Sequence, residues 1–324
     1  MTVLILAGER DISADRMVRA LGERGVPVFR ADLGWFPETL TLDAELRDGR
    51  WVGRLVGRLV TPHREVALEE LRSVWYRSPS TFRFPAGLSG TERQHALHEA
   101  KLGVGGVLGA LPVLWVNHPS RHADAGYKPR QLVAAARAGL AVAPTLVTND
   151  PAAVRRFATQ CGPAGVVTKM FGAPAISEQG GRRVALTERL SPARLADLRG
   201  VEISAHQFQR WVPKREEARV IAIGRQVHGV AIRADSAAAY VDWRADHDAL
   251  SYERIDPPAE VQRGVRTVLA DLGLVYGAFD FVIGPDGTWI FLEVNPGGQF
   301  GFVEDQAGLP LTAALADLLA RGAP

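Results

Sequence analysis

The sequence predicts an α/β (α+β) protein built from successive units, and three observations lead there. Residues 3–7 form a short, continuous apolar run, as a parallel strand buried on both faces would, and a helical pattern and a second strand follow. The chain has 324 residues, which at about 100–200 residues per domain makes two or three domains or one large one. Near the C-terminus, two very apolar runs, 278–283 and 289–294, flank Gly284-Pro285-Asp286-Gly287 and so predict a hairpin.

In the first unit, Asp11 or Ser13 is placed to cap a helix that carries Met17, Val18 and Leu21 on one face and ends near Gly25. A strand over 26–31 follows. Gly8 is the only glycine in the first turn, so the G-x-G-x-x-G fingerprint of dinucleotide binding is absent. Residues 39–46 and 50–55 alternate around Asp48-Gly49, a hairpin signal, and 74–77 is a further strand. A long helix runs from Thr91 towards Ala110. Its His95, His98 and Glu99 have the spacing H-x-x-H-E and not H-E-x-x-H, so they read as a solvated face.

The second unit starts near Asn117-His118-Pro119. Pro129 suits the first turn of a helix over 130–138 that stops at Gly139. One strand is expected over 141–147, a helix after Asn149-Asp150-Pro151, and a strand over 165–170. A glycine-bearing stretch, 171–183, comes next. The third unit opens near His206, with strands over 219–223 and 226–232 about Gly224-Arg225, a helix over 259–272, the final hairpin, and a closing helix over 311–320.

Composition excludes several function classes. Hydrophobic residues make up 47% and charged residues 23%, enough for a substantial core. Lys plus Arg number 38 against 36 for Asp plus Glu, a balance that by itself rules out neither a nucleic-acid nor a peptide partner; with no basic block able to hold a phosphate backbone unaided, no nucleic-acid partner is expected. The lone Cys161 rules out a disulfide within the chain, fits a reducing, cytoplasmic compartment, and has no activating neighbour in the sequence. The apolar N-terminus lacks a basic flank and reads as a strand, not a signal peptide. The longest apolar run, 102–116, is broken by glycines and Pro112 and falls short of the ~20 residues that cross a bilayer, so no membrane partner is expected either.

The final hairpin carries the chemistry. Side chains alternate along a strand, so Glu293 and Asn295 share one face. With the turn centred on Pro285-Asp286, Asp280 falls opposite Phe291 and diagonal to Glu293, about 7–8 Å away, a span that two carboxylates can close around one cation. Two acids and an amide oxygen are hard ligands, suited to magnesium that bridges phosphates. Their neighbours Phe279, Phe281, Phe291 and Leu292 make unpaired carboxylates expensive there.

The string Phe291-Leu292-Glu293-Val294-Asn295-Pro296, preceded by Asp280, resembles the metal-binding signature of the ATP-grasp superfamily, over about residues 115–300. Within that superfamily, Val74-Trp75-Tyr76-Arg77, Trp115-Val116-Asn117-His118-Pro119, Lys128 with Gln131-Leu132, and Gly297-Gly298-Gln299-Phe300 resemble the ATP-grasp maturases of ribosomal peptides. These graspetide synthetases, which include the microviridin-type enzymes, crosslink peptide side chains. The resemblance implies an ATP-grasp fold: an N-terminal β-α-β pre-ATP-grasp domain over 1–116, a central α/β subdomain over 117–205, and a C-terminal subdomain over 206–324 that holds the metal site. It also implies ATP and Mg2+ as cofactors, a precursor peptide (leader plus core) as partner, and a homodimer.

Residue roles follow from the same resemblance. Lys128 and Lys169 match the two lysines that approach the ATP phosphates, and the 171–183 stretch would cover them, its Gly172, Gly180 and Gly181 admitting backbone N–H groups. Residues 208–214 match the hinge that recognises adenine, through Gln209, Trp211 and Val212. Arg219 matches a phosphate-facing arginine and, with Lys169, is assigned to catalysis; its alternative is a strand-edge ion pair with Glu216 or Glu217. Arg210 stands where related hinges carry an acid, which leaves the ribose contact unassigned. Arg77, Arg233, Asp242 and Arg244 are candidates for the acceptor peptide, because arginine holds a carboxylate bidentately. The implied reaction activates an Asp or Glu side chain as an acyl phosphate and passes it to a Ser, Thr or Lys side chain. The alternatives are a related ligase that adds a free amino acid to a protein terminus or small molecule, and a non-catalytic ATP-binding protein. The latter would be marked by loss of Asp280, Glu293 or a lysine.

Overall fold

The computed structural model describes residues 1–57, 64–172, 175–178, 181–184 and 186–323. The N-terminal unit is a parallel sheet of β1 (Thr2–Ala7), β2 (Val28–Ala31), β6 (Leu71–Ser78) and β7 (Leu114–Val116), in the order β2-β1-β6-β7. Parallel neighbours need crossovers, and helices supply them here. One is α1 (Ile12–Glu23), with the Asp11 side chain accepting from the Ala14 N–H at 2.9 Å; the other is α2 (Gly90–Gly109), closed by a Ser89–Glu92 capping box. Between β2 and β6 lies an antiparallel sheet of β3 (Leu40–Arg47), β4 (Arg50–Gly57) and β5 (Arg64–Ala67), with the expected turn at Asp48-Gly49. His95, His98 and Glu99 are exposed on α2, and Cys161 is a buried packing residue.

Next come α3 (Pro119–Ala125), α4 (Lys128–Arg137), β8 (Ala141–Val142), β9 (Thr145–Thr148), α5 (Pro151–Cys161) and β10 (Val166–Lys169). They are followed by the hairpin β11 (Ala175–Glu178) and β12 (Gly181–Val184), then β13 (Glu188–Arg189), α6 (Pro192–Ala196) and β14 (His206–Arg210). The β11–β12 pair falls in the glycine-bearing 171–183 stretch; Gly180 lies outside the described residues.

Two sequence expectations change here. The strand expected over 141–147 is two strands in different sheets: β8 pairs with the last hairpin, and after Pro144 the chain turns so that β9 pairs with β14. A proline has no N–H to continue a ladder, and the chain switches sheets there. The strand at His206, expected to open the third unit, instead fills the centre of the second unit's sheet, in the order β13-β10-β14-β9. By strand pairing, the central sheet therefore extends past residue 206.

The C-terminal sheet has the order β17-β16-β15-β18-β19-β8, with β15 (Glu216–Ile223), β16 (Gln226–Ala234), β17 (Leu250–Ile255), β18 (Tyr276–Ile283) and β19 (Trp289–Asn295). The accompanying helices are α7 (Ala237–Val241), α8 (Ala259–Leu272), α9 (Gly301–Ala307) and α10 (Leu311–Arg321). Val265, Val268 and Leu272 of α8 and Ala134 and Ala135 of α4 bury Phe279, Phe281 and Phe291 on one face. Leu315 and Leu319 of α10 fill a second core with Val3, Ile5, Met17, Ile221 and Tyr276. That shared core, from the first and last parts of the chain, holds the N-terminal sheet against the C-terminal one.

Candidate active site

A cleft of about 1500 Å³ runs between the central sheet, the C-terminal sheet and the C-terminal end of β6. Its three parts hold the residues expected at the adenine hinge, at the phosphates and at the acceptor.

At the hinge, β14 runs between β10 and β9 and leads into Trp211, whose N–H donates to the Gly165 carbonyl at 3.0 Å. The buried Gln209 side chain donates to Thr145 Oγ1 at 2.9 Å, so its amide braces the hinge from behind. The Arg189 guanidinium and Lys214 Nζ lie 5.4 and 5.6 Å from the centre of the Trp211 ring, both within cation–π range of the indole. Val212 and Arg210 also line this end. The same end is also lined by a buried ion pair, Lys214–Glu217, which sequence reasoning missed. Burial pushes the Glu217 carboxyl above its ordinary range, more than Lys214 pulls it down.

At the phosphate end, Lys169 closes β10 and reaches into the cleft, where desolvation pulls its ammonium below the usual lysine range. Lys128, the first residue of α4, donates to the Met170 carbonyl at 2.8 Å and lies 2.9 Å from Glu293, so one side chain spans both sheets. The sequence placed Asp280 opposite Phe291. A bulge between Asp280 and Phe281 instead sets Asp280 directly opposite Glu293, while Phe281 faces Phe291. Such an extra residue re-aims a side chain, and here it turns a diagonal pair of acids into a facing one. Arg219 lies opposite Asp280 on β15 and hydrogen-bonds it at 2.7 and 2.8 Å; β15 is an interior strand, so the strand-edge pair with Glu216 or Glu217 does not form. Burial raises the Asp280 carboxyl, and facing Glu293 adds to this against the pull of Arg219. Glu293 moves the other way: burial would raise it, but Lys128, then Lys169 and Arg244, outweigh that and hold it low. The Asn295 amide donates to Asp280 at 3.4 Å. A Cβ on Gly298 would lie 2.9 Å from Arg219 Nη2 and 2.6 Å from Ala278 Cβ, so only glycine lets this loop close over the arginine.

These donors fit magnesium. Among the described residues no cluster of three or more His, Cys, Asp or Glu side chains is placed to hold a metal, so the set is two carboxylates and an amide, all hard oxygen donors. Two buried carboxylates facing each other on paired strands repel, and they need positive charge between or around them.

At the acceptor end, Arg77 finishes β6. It is 8% exposed, donates to the Gly297 carbonyl at 2.8 Å, lies 3.5 Å from Asp11, and has a buried Nε without a hydrogen-bond partner. Arg244 forks onto Asp242 with two 2.8 Å bonds, and Asp242 also accepts from the Thr187 N–H at 2.9 Å. Burial would raise Asp242, but Arg244 holds it far below the usual carboxylate range. Asp242 is thus committed to orienting Arg244. Arg233 does not line the cleft: its 53% exposed side chain is tied to Glu216 and Glu253, at 2.9 and 2.6 Å, on the β16–β17 side of the sheet. Sequence reasoning also missed His122, half-buried in the cleft wall with Nδ1 unpartnered; nothing in its local pattern distinguishes it from a surface histidine of α3.

Residues 2–123 match a family model described as the MvdD pre-ATP grasp domain. Solved structures resemble the whole chain. The macrocyclase MdnC of Microcystis aeruginosa MRC, bound with precursor peptide MdnA, is 27% identical, with a TM-score of 0.86 over 100% of both chains. A Chryseobacterium gregarium RiPP-associated ATP-grasp ligase, in complex with ADP and a leader and core peptide, is 26% identical, with a TM-score of 0.90 over 100% of this chain and 97% of that one. The macrocyclase MdnB of the same Microcystis strain is 27% identical, with a TM-score of 0.80 over 99% of each chain. No curated protein matches the sequence. With a match to a pre-ATP-grasp domain at its start and the architecture of these ligases along its full length, the chain is an ATP-grasp ligase similar to the graspetide synthetases.

Proposed function

We propose that this enzyme activates Asp or Glu side chains of a ribosomal precursor peptide as acyl phosphates and joins them to Ser, Thr or Lys side chains as esters or amides. The observation that carries this reading is the convergence, in one cleft, of the Trp211 hinge, Lys128 and Lys169, the facing acids Asp280 and Glu293, and Arg77 and Arg244. The likeness to MdnC, solved with its precursor peptide, supports a peptide as the acceptor.

In this reading the hinge backbone at 209–212 holds adenine, and Lys128 and Lys169 lie along the phosphates. Oxygens of Asp280, Glu293 and Asn295 hold magnesium, which supplies neutralisation of triphosphate charge. Arg77 and Arg244 orient the acceptor carboxylate towards the γ-phosphate. A carboxylate oxygen attacks that phosphorus, the bond to the bridging oxygen breaks, and ADP leaves with the electron pair; Arg219 and Lys169 balance the developing charge. A hydroxyl or amine then attacks the acyl carbon and gives up its proton, and the carbon–oxygen bond to phosphate breaks to release inorganic phosphate. Holding the two side chains together supplies much of the rate, and no protein nucleophile is needed.

The proposal extends to a homodimer in the cytoplasm with no nucleic-acid or membrane partner. Among the described residues, no helix is long and apolar enough to cross a membrane. The test is incubation with ATP, Mg2+ and a leader-bearing peptide rich in Asp/Glu and Ser/Thr/Lys, read by mass spectrometry. Loss of one water (18 Da) per crosslink, with phosphate release, is the expected result. Phosphate release with a free amino acid but not with any such peptide would point to the amino-acid-adding ligase.

A further inference from the structure

Among the described residues, the outer edge of β19 has no strand partner beyond its pairing with β8. The two strands meet only at Ile290 and Phe291, after which the chain leaves for the central sheet. Val294 sits further along, 1% exposed, so its backbone N–H and C=O would be a buried donor and acceptor without partners. The side-chain amide of Gln131 takes both: its oxygen accepts from the Val294 N–H at 2.9 Å, and its nitrogen donates to the Val294 carbonyl at 2.9 Å and to the Ala125 carbonyl at 2.6 Å. Gln131 is 3% exposed and lies one helical turn before Ala134 and Ala135, on the face of α4 that meets the C-terminal core. It is a polar residue at a core position.

A second amide acts the same way nearby, at the same open end of the hairpin. Asn117 accepts from the Val275 and Tyr276 N–H groups at 2.7 and 3.0 Å and donates to the Tyr276 and Pro296 carbonyls at 2.8 and 2.7 Å. The open end of the β18–β19 pair, away from the turn at 284–287, is therefore held by two side-chain amides from the segment between β7 and β8.

Val294 lies between Glu293 and Asn295. Because side chains alternate, both oxygen donors project to the face opposite the Val294 side chain, so fixing the Val294 backbone fixes their direction. Gln131 is also three residues after Lys128 and shares its helix face, so the bond to Val294 sets the register in which Lys128 meets Glu293 at 2.9 Å.

We propose that Gln131 is a positioning residue for the cation–phosphate end of the site: its amide stands in for the missing strand partner of Val294 and aims Glu293 and Asn295 while keeping α4 in register. This rests on reading the cleft as the Mg–ATP site.

The test is ADP binding to the full chain by calorimetry, titrated with and without MgCl2, alongside thermal unfolding. Gln131→Met keeps the side-chain length and removes all three hydrogen bonds. Its half-saturating Mg2+ is expected to rise about 10–100-fold, as when a residue that orients a metal ligand is lost, while Mg-free ADP binding at the hinge stays within about threefold. A general loss of structure would weaken both alike. Gln131→Asn keeps an amide one methylene short and shifts the Mg2+ dependence in the same direction by less. Wild-type Mg2+ dependence in Gln131→Met overturns the proposal; should that variant not fold, wild-type dependence in Gln131→Asn overturns it. Absence of any Mg-dependent ADP binding in the wild type would overturn the reading of the cleft itself, and the inference with it.

Discussion

Arg219 and Asp280 face each other across neighbouring strands, and a single guanidinium nitrogen reaches both carboxylate oxygens, at 2.7 and 2.8 Å. The second terminal nitrogen of Arg219 lies 3.3 Å from the Gln299 carbonyl, and its buried Nε has no partner. The pair fixes Asp280 on the cleft side of β18 and leaves the arginine donor capacity towards the phosphate end. Removing one member strands the other's charge in the interior. Arg219→Met should therefore lower stability to urea by about 3–5 kcal/mol, and Arg219→Met/Asp280→Asn should recover most of that while remaining inactive. An additive double variant would show that the two charges do not interact.

Asp280→Asn and Glu293→Gln keep shape and burial but remove the charge meant for the cation. Each should fold and cut product formation by about 10²–10³-fold, on the scale of losing one preorganised electrostatic contact. Mass spectrometry of the peptide after single-turnover incubation reads this. Wild-type turnover in either variant would remove the metal assignment.

In the proposed reading, Lys128 and Lys169 serve the phosphates in different ways. Lys128 is already held by Glu293 and the Met170 carbonyl, whereas the cleft disfavours the Lys169 charge through desolvation. Lys169→Met should raise the KM for ATP by about tenfold or more, for one lost charge-assisted hydrogen bond, with little change in stability. Lys128→Met should raise it as well and also lower the melting temperature, because it unties two sheets.

The arginines proposed for the acceptor separate by position. Arg77→Lys and Arg244→Lys should raise the KM for peptide by about tenfold, since an ammonium cannot reproduce a bidentate grip. Their ATP affinity should hold. Arg233→Ala, outside the cleft, should match the wild type in both constants, and a peptide KM that rose there would place the acceptor over the β16–β17 side.

Acid stability follows from Asp242. Its carboxyl is held below the ordinary value by Arg244. The stabilisation is therefore present above the unfolded value of about 3.9 and is lost as the pH falls through the folded one. Urea unfolding should show wild type and Asp242→Asn separated by a constant gap from neutral pH to about 5, narrowing below about 4. A gap that widened on acidification would reverse the assignment.

Local pattern was enough for much of this molecule. Apolar runs and turn residues placed the helix Ala259–Leu272 and both strands of the last hairpin, and alternation put Glu293 and Asn295 on one face. Those features depend on period and on neighbours in sequence, which the chain carries in itself. Tertiary structure decided the rest. The bulge that brings Asp280 opposite Glu293, the division of 141–147 between two sheets, the central place of β14, and the placing of Arg219 inside the cleft and Arg233 outside it all depend on which strands pair, and at what register. A slip of one residue leaves the apolar pattern of each strand unchanged yet moves every side chain to the other face, so register is settled by hydrogen bonds and packing between segments far apart in the chain.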